Sequence, residues 1–252
     1  MRISHIVNVY DTEDPDAILA QHVTLNSLLR ARANVKHPID IKILACKHVS
    51  DPFVIPSGVE FTEGLTRYAH DAHKDLSDAK LLPVLRDILS RGVSAHDADF
   101  YIYSNSDIGA YPSLYNKLFN LIEEGYDGIC VNRTTIPKSI GDRPVTTENY
   151  SELLYKSPLI PHGGADFFMF SNYGRYCLHK LGSIFIGYPP IGAVMLSWLH
   201  EISQHFIWLK EVKNTFHLGN DEPWREKCEY SKVNEDEGLR LYPNYKSVWR
   251  RL

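Results

Sequence analysis

Between Ile3 and Asn132 the chain alternates two periodicities, and this alternation restricts the folds open to it more than any other feature. Runs rich in β-branched and aromatic residues at 3–10 (ISHIVNVY), 39–46 (IDIKILAC), 99–103 (DFYIY) and 126–132 (YDGICVN) read as strands, with a shorter one at 59–62. Between them lie helical spacings. In residues 15–32, Ile18, Leu19, Val23, Leu25, Leu28 and Leu29 recur at near-helical spacing, with Pro15 in the first turn and Asp14 or Thr12 as cap. Residues 82–90 form a second helix with Pro83 in its first turn, and 111–124 a third that Gly125 ends. Strand–helix–strand repetition calls for a mostly parallel central sheet with crossover helices, an α/β fold. The second half is less regular: strands at 165–170 and 206–212, helices at 173–181 and 191–200. No internal repeat or linker divides the chain, so residues 1–252 read as one domain.

Charge excludes one class of partner. With 27 Lys+Arg against 31 Asp+Glu the net charge is -4, without the basic excess that nucleic-acid binding requires. Cys46, Cys130, Cys177 and Cys228 stand singly, which argues against a zinc ribbon or a disulfide framework; Cys46 and Cys130 fall in apolar strands and read as buried. The start lacks a signal-peptide pattern, and the longest apolar stretch, 185–199, is broken by Pro189 and Pro190. These features lead us to expect a soluble, cytoplasmic protein without a transmembrane segment, in which the sequons at Asn132 and Asn149 are chance.

The chemistry concentrates at the end of the DFYIY strand, which stops at Ser104-Asn105-Ser106-Asp107. In open α/β sheets ligands bind beyond the carboxyl ends of strands. A carboxylate there suits Mg²⁺ or Mn²⁺, which take oxygen ligands and substrate phosphates. A plain turn, closed by the same short polar residues, is the competing reading.

Segment 97–108 (DADFYIYSNSDI) resembles the DXD region of GT-A glycosyltransferases, and within them a little-characterised group with a strand followed by S/T-N-x-D-I. Segments 161–170 (PHGGADFFMF), 186–196 (IGYPPIGAVML) and 215–224 (TFHLGNDEPW) resemble that group's later motifs in the same order, and 83–89 its helix before the DXD strand. The resemblance implies the GT-A (nucleotide-diphospho-sugar transferase) fold and transfer of a sugar from a UDP- or GDP-linked donor to a glycan or other hydroxyl acceptor. It further implies assistance by a divalent metal, Mn²⁺ or Mg²⁺, held by Asp107 and His217. Tyr10 and His48, at the ends of the first two strands, then face base and ribose. Asn105 and Ser106 border the donor, and Lys80 and Arg133 its diphosphate. His162, Tyr188 and Trp224 line the sugar or acceptor site. Two departures stand out. Asn105 occupies the first acidic position of DXD, and Pro190-Ile191-Gly192 replaces the carboxylate that many inverting members carry at the start of a late helix. Asp166 and Asp221 are then the candidate bases. Asp166 lies in an apolar run, where burial raises a carboxyl pKa, or where it simply partners a backbone or arginine group.

Two other readings stay open. A nucleotidyltransferase would want a Gly-rich basic loop after the first strand, but residues 11–15 (DTEDP) are acidic. The two departures also fit a catalytically inactive carbohydrate- or nucleotide-binding module.

Overall fold

A computed structural model of the chain describes residues 1–156, 160–211, 213–219 and 228–252. In chain order the first half contains β1 (Arg2–Asn8), α1 (Pro15–Ala33), β2 (Asp40–Cys46), β3 (Glu60–Phe61), α2 (Ala69–Ala72), α3 (Leu85–Ala95), β4 (Phe100–Ser104), β5 (Ile108–Ala110), α4 (Leu114–Glu123) and β6 (Gly128–Ile136). There follow β7 (Ser139–Ile140), β8 (Arg143–Pro144), α5 (Tyr150–Lys156), β9 (Ile160–Ser171), a 3₁₀ segment (Asn172–Leu181), α6 (Ile191–Ile202), β10 (Phe206–Leu209), β11 (Thr215–Leu218), α7 (Glu229–Leu241) and α8 (Tyr245–Arg251).

The expected parallel half is present: β3-β2-β1-β4 run side by side in one direction. The sheet then turns mixed. β9 lies between β4 and β6, antiparallel to both. The far edge of β6 is shared, β10 pairing with Gly128–Val131 and β11 with Arg133–Ile136. Among the described residues this makes one nine-stranded sheet, with β5 on the outer side of β11.

Period-two alternation sends side chains to two cores. Ile6, Tyr101, Tyr103, Cys130, Phe168 and Phe170 face α3 and α6. Ile3, Val7, Ile102, Ile129, Val131, Phe167 and Met169 face α1 and α4. Both cysteines expected in the core, Cys46 and Cys130, are there. The start of α1 follows its sequence signals: Asp14 accepts the Asp16 N–H at 3.0 Å and Pro15 opens the first turn. Among the described residues no helix is long and apolar enough to cross a membrane.

Several elements differ from expectation. α3 starts at Leu85, with Pro83 before it rather than in its first turn. The Leu85 N–H donates to Ile184 O (2.9 Å) and the Ile186 N–H to Pro83 O (3.1 Å), which holds 83–85 extended in a bridge to 184–186. The segment after β9 is wound as 3₁₀ rather than α, with a tertiary bond at its middle, where Trp198 Nε1 donates to Cys177 O at 3.1 Å. The strand expected over 206–212 ends at Leu209 among the described residues.

Candidate active site

The chain turns as soon as β4 ends. Ile108 N–H donates to Asn105 O (3.2 Å), closing a turn that carries Ser106 and Asp107. It leaves along β5, which pairs antiparallel with β11 so that Ile108 faces His217 and Gly109 faces Phe216. The Phe216 ring presses on Gly109: a Cβ there would fall 2.2 Å from Cζ, so this register requires glycine. The pairing brings together two residues 110 positions apart, with His217 Nε2 3.1 Å from Asp107 Oδ2.

The electrostatics of this pair follow from its partners. His217 Nδ1–H donates to Gly219 O at 2.9 Å, which turns Nε2 toward Asp107. His217 is 9% exposed and Asp107 40%. Burial pushes the Asp107 carboxyl up, but the hydrogen bond and charge of His217, with the charge of Arg133, outweigh it and hold the group below the ordinary carboxylate value. Burial disfavours the His217 cation, but the Asp107 hydrogen bond and charge prevail and raise the imidazole. Both shifts favour the charged pair over the neutral one. Asp107 Oδ1 is buried and has no hydrogen-bond partner among the described residues.

A second cluster adjoins the first. The β6–β9 ladder shifts register between Val131 and Thr134, and Arg133 emerges there. Its Nη1 lies 3.0 Å from Asp166 Oδ2 and its Nη2 3.4 Å from His162 Nε2. Asn105 Nδ2 donates to the other Asp166 oxygen at 3.3 Å, while Tyr103 donates to Asn105 Oδ1 at 3.2 Å. Asn105 therefore supplies a donor that an aspartate at this position would lack. Burial pushes the Asp166 carboxyl up, and the opposing charge of Arg133 does not cancel that. At the start of α6, Gly192 packs against β9: a Cβ would lie 2.7 Å from Ala165 O. A side chain at position 192 would collide with β9.

Both clusters open onto one cleft of about 860 Å³. Asn105, Ser106, Asp107, Arg133, Asp166 and His217 line it together. His162 and Tyr188 lie on its walls, and so does Tyr10. Gln21 grips the main chain of Tyr10 from both sides, accepting its N–H and donating to its carbonyl, each at 2.9 Å. His48 and Lys80 lie outside the described lining. His48 stacks on Tyr68 (centroids 4.4 Å apart) and joins Leu65 in a bridge. Lys80 bonds the Tyr188 hydroxyl and sits 5.0 Å over its ring. Asp221 and Trp224 lie outside the described residues. Sequence reasoning missed Lys138, which pairs with Asp16 at 2.7 Å on the cleft wall, and the α8 residues Tyr245, Lys246, Trp249 and Arg250. The spacing of these last four, i, i+1, i+4 and i+5, was the signal available.

Among the described residues no group of three His, Cys, Asp or Glu side chains converges as a metal site. The pair at 107 and 217 offers one carboxylate with an unpartnered buried oxygen and one imidazole nitrogen. That donor set fits a divalent ion whose other positions go to phosphate oxygens and water.

No protein-family model matches the chain, and no curated protein matches it in sequence. Solved structures do match in fold. Residues 1–349 of S. aureus TarS in complex with UDP-GlcNAc align with a TM-score of 0.52 at 10% identity, covering 99% of this chain and 70% of that one. Glucosyl-3-phosphoglycerate synthase of M. tuberculosis aligns with a TM-score of 0.51 at 13% identity, covering 95% and 80%. Its complex with Mn²⁺, UDP-Glc and phosphoglyceric acid aligns equally, at 0.51 and 13%, covering 95% and 79%. The fold of this chain is therefore GT-A, as expected.

Proposed function

We propose that the protein is a glycosyltransferase that moves a sugar from a UDP- or GDP-linked donor to the hydroxyl of a glycan or other acceptor. The observation that carries this reading is the Asp107–His217 pair, 3.1 Å apart at the carboxyl end of β4 and open to the large cleft. Such a cleft falls within the ~300–1,000 Å³ of small-molecule sites. Tyr10 meets the nucleobase with its ring, and Arg133 faces the diphosphate with Asn105 and Ser106 beside it. Asp107 and His217 would hold Mn²⁺ or Mg²⁺, which when bound supplies Lewis-acid stabilisation of the charge gathering on the diphosphate. Asp166, its carboxyl raised by burial and its position set by Arg133 and Asn105, takes the proton of the acceptor hydroxyl. Asp221 is the second base candidate. His162, Tyr188 and Trp224 border the sugars, and Lys80 acts through Tyr188, whose hydroxyl and ring it holds.

A nucleotide-binding module without turnover is the second reading, favoured by the absence of a carboxylate from Pro190-Ile191-Gly192 and the close packing of Gly192 on β9. One experiment separates the two: thermal unfolding against a panel of nucleotides and sugar nucleotides, with and without Mn²⁺, followed by donor turnover. The transferase reading expects a Mn²⁺-enhanced shift with one nucleoside diphosphate, and turnover abolished in a folded Asp107→Ala variant. Binding with no turnover of any donor selects the module. Full turnover in Asp107→Ala sinks the assigned site.

A further inference from the structure

α8 closes one side of the cleft. Tyr245, Lys246, Trp249 and Arg250 all line it, and their spacing places them on one helix face. The helix is fastened in this position. Trp249 meets Trp208 edge-on with centroids 5.1 Å apart, Tyr245 is buried, and Lys210 Nζ donates to the Leu252 main-chain oxygen at 2.6 Å. Trp249 also reaches the reacting end of the cleft. A Cβ built on Gly192 would lie 3.9 Å from Trp249 Cζ3 and 2.7 Å from the carbonyl of Ala165, the residue before Asp166.

The charge of this wall is one-sided. The α8 sequence YKSVWRR holds no carboxylate. Lys246 is engaged by Glu235 at 2.6 Å. Arg250 is exposed and has no hydrogen-bond or ion-pair partner among the described residues. The nearby cleft carboxylates Asp166 and Asp107 are matched by Arg133 and His217. An exposed arginine and a tryptophan on the same wall of a cleft suit a ligand with an apolar ring face and an anionic group, which the planar guanidinium fork grips through two parallel bonds.

We propose that the acceptor is an anionic sugar, its ring against Trp249 and its phosphate or carboxylate on Arg250. This rests on the glycosyltransferase reading. In the transfer, the acceptor hydroxyl oxygen bonds to the anomeric carbon of the donor as the bond from that carbon to the diphosphate oxygen breaks. The diphosphate leaves with the electron pair, the hydroxyl proton passes to Asp166, and the anionic group is a spectator held by Arg250.

The test is thermal unfolding of the full chain with glucose 6-phosphate, glucuronate or glucose at matched ionic strength, in wild type, Arg250→Gln and Arg251→Gln. Residue 251 makes the same charge change off the cleft lining. The expected result is a midpoint raised by one or both anionic sugars and not by glucose. That response should persist in Arg251→Gln and give way in Arg250→Gln to a Kd about tenfold weaker. Which anion acts identifies the acceptor's charged group. Equal responses to glucose and the anionic sugars, no response to either anion, or an unchanged response in Arg250→Gln overturns the inference. A parallel arm with UDP and GDP on wild type keeps the two readings apart. A nucleotide shift without an anionic-sugar shift sinks only the acceptor assignment, whereas an anionic-sugar shift without a nucleotide shift sinks the transferase reading and leaves only an anionic-sugar site on α8.

Discussion

His5 sits under the active-site loop and makes the acid stability of the protein predictable. Its Nδ1 lies 2.7 Å from the Tyr115 hydroxyl and its Nε2 2.9 Å from Ser104 Oγ. Full burial lowers the imidazole from 6.5 to about 3. The unfolded chain therefore binds a proton that the folded one refuses, and stability present above 6.5 is lost as pH falls toward 3. Between pH 7 and pH 5 this amounts to about 2 kcal/mol. Urea unfolding at both pH values should show it, and His5→Gln should remove most of the difference while lowering stability at pH 7. An unchanged difference would place the acid sensitivity elsewhere. Asn105 gives a second test. Asn105→Asp replaces a donor 3.3 Å from Asp166 Oδ1 with a second carboxylate. Like charges at that distance should cost about 1–3 kcal/mol at neutral pH, and the loss should shrink as pH falls and one carboxyl takes a proton. A loss of equal size at pH 5 and pH 7.5 would point to packing instead of charge.

At the scale of elements, the site depends on β5 and β11, two short strands whose pairing stacks Phe216 on Gly109. Neither is held by its own length, since strands of three and four residues are marginal alone. Phe216 is buried beside Tyr111 and Tyr150, so the ring has little room to retreat. Gly109→Ala should push β11 away and cost about 1–3 kcal/mol of stability by overpacking. His217 would move with it, so the Mn²⁺-dependent part of the nucleotide shift should be lost while metal-independent nucleotide binding persists. A variant that keeps the full Mn²⁺ effect would show that His217 does not depend on this pairing.

Across the whole molecule, the cleft draws on distant parts of the chain: the β1–α1 loop, the β4–β5 turn, β6, β9, β11 and α8. A ligand bridging them stabilises only the assembled fold. At 100 times its Kd it should add about 2.7 kcal/mol to unfolding. Calorimetry should then show one transition moving upward as a unit with nucleotide and Mn²⁺. Two transitions, of which only one moved, would mean that part of the wall folds independently of the site.

What the amino-acid sequence determined unaided is the local and the periodic. The alternating runs at 3–10, 39–46 and 99–103 became β1, β2 and β4, because side-chain period and β-branching act within a few residues. Asp14-Pro15 marked the start of α1 for the same reason. The polar turn after an apolar strand drew attention to Asp107 but left a plain turn as the rival reading, and the resemblance of segments 97–108 and 215–224 to a known group singled out Asp107 and His217 as candidates. The insertion of β9 between β4 and β6 was decided only in three dimensions, and so was the short β11 that carries His217 to Asp107. Antiparallel pairing between strands that are not neighbours in the chain leaves no periodic trace. The separation of Tyr10 from His48 was likewise decided by tertiary structure. Both residues follow a strand end by two positions, yet Gln21 secures the main chain of one at the cleft while Tyr68 stacks on the other outside its described lining. The α8 wall is the clearest case. Its YKSVWRR pattern is visible in the chain, but only packing against α6 and Trp208 turns that face toward the cleft, and it is packing that gives a short amphipathic helix its orientation.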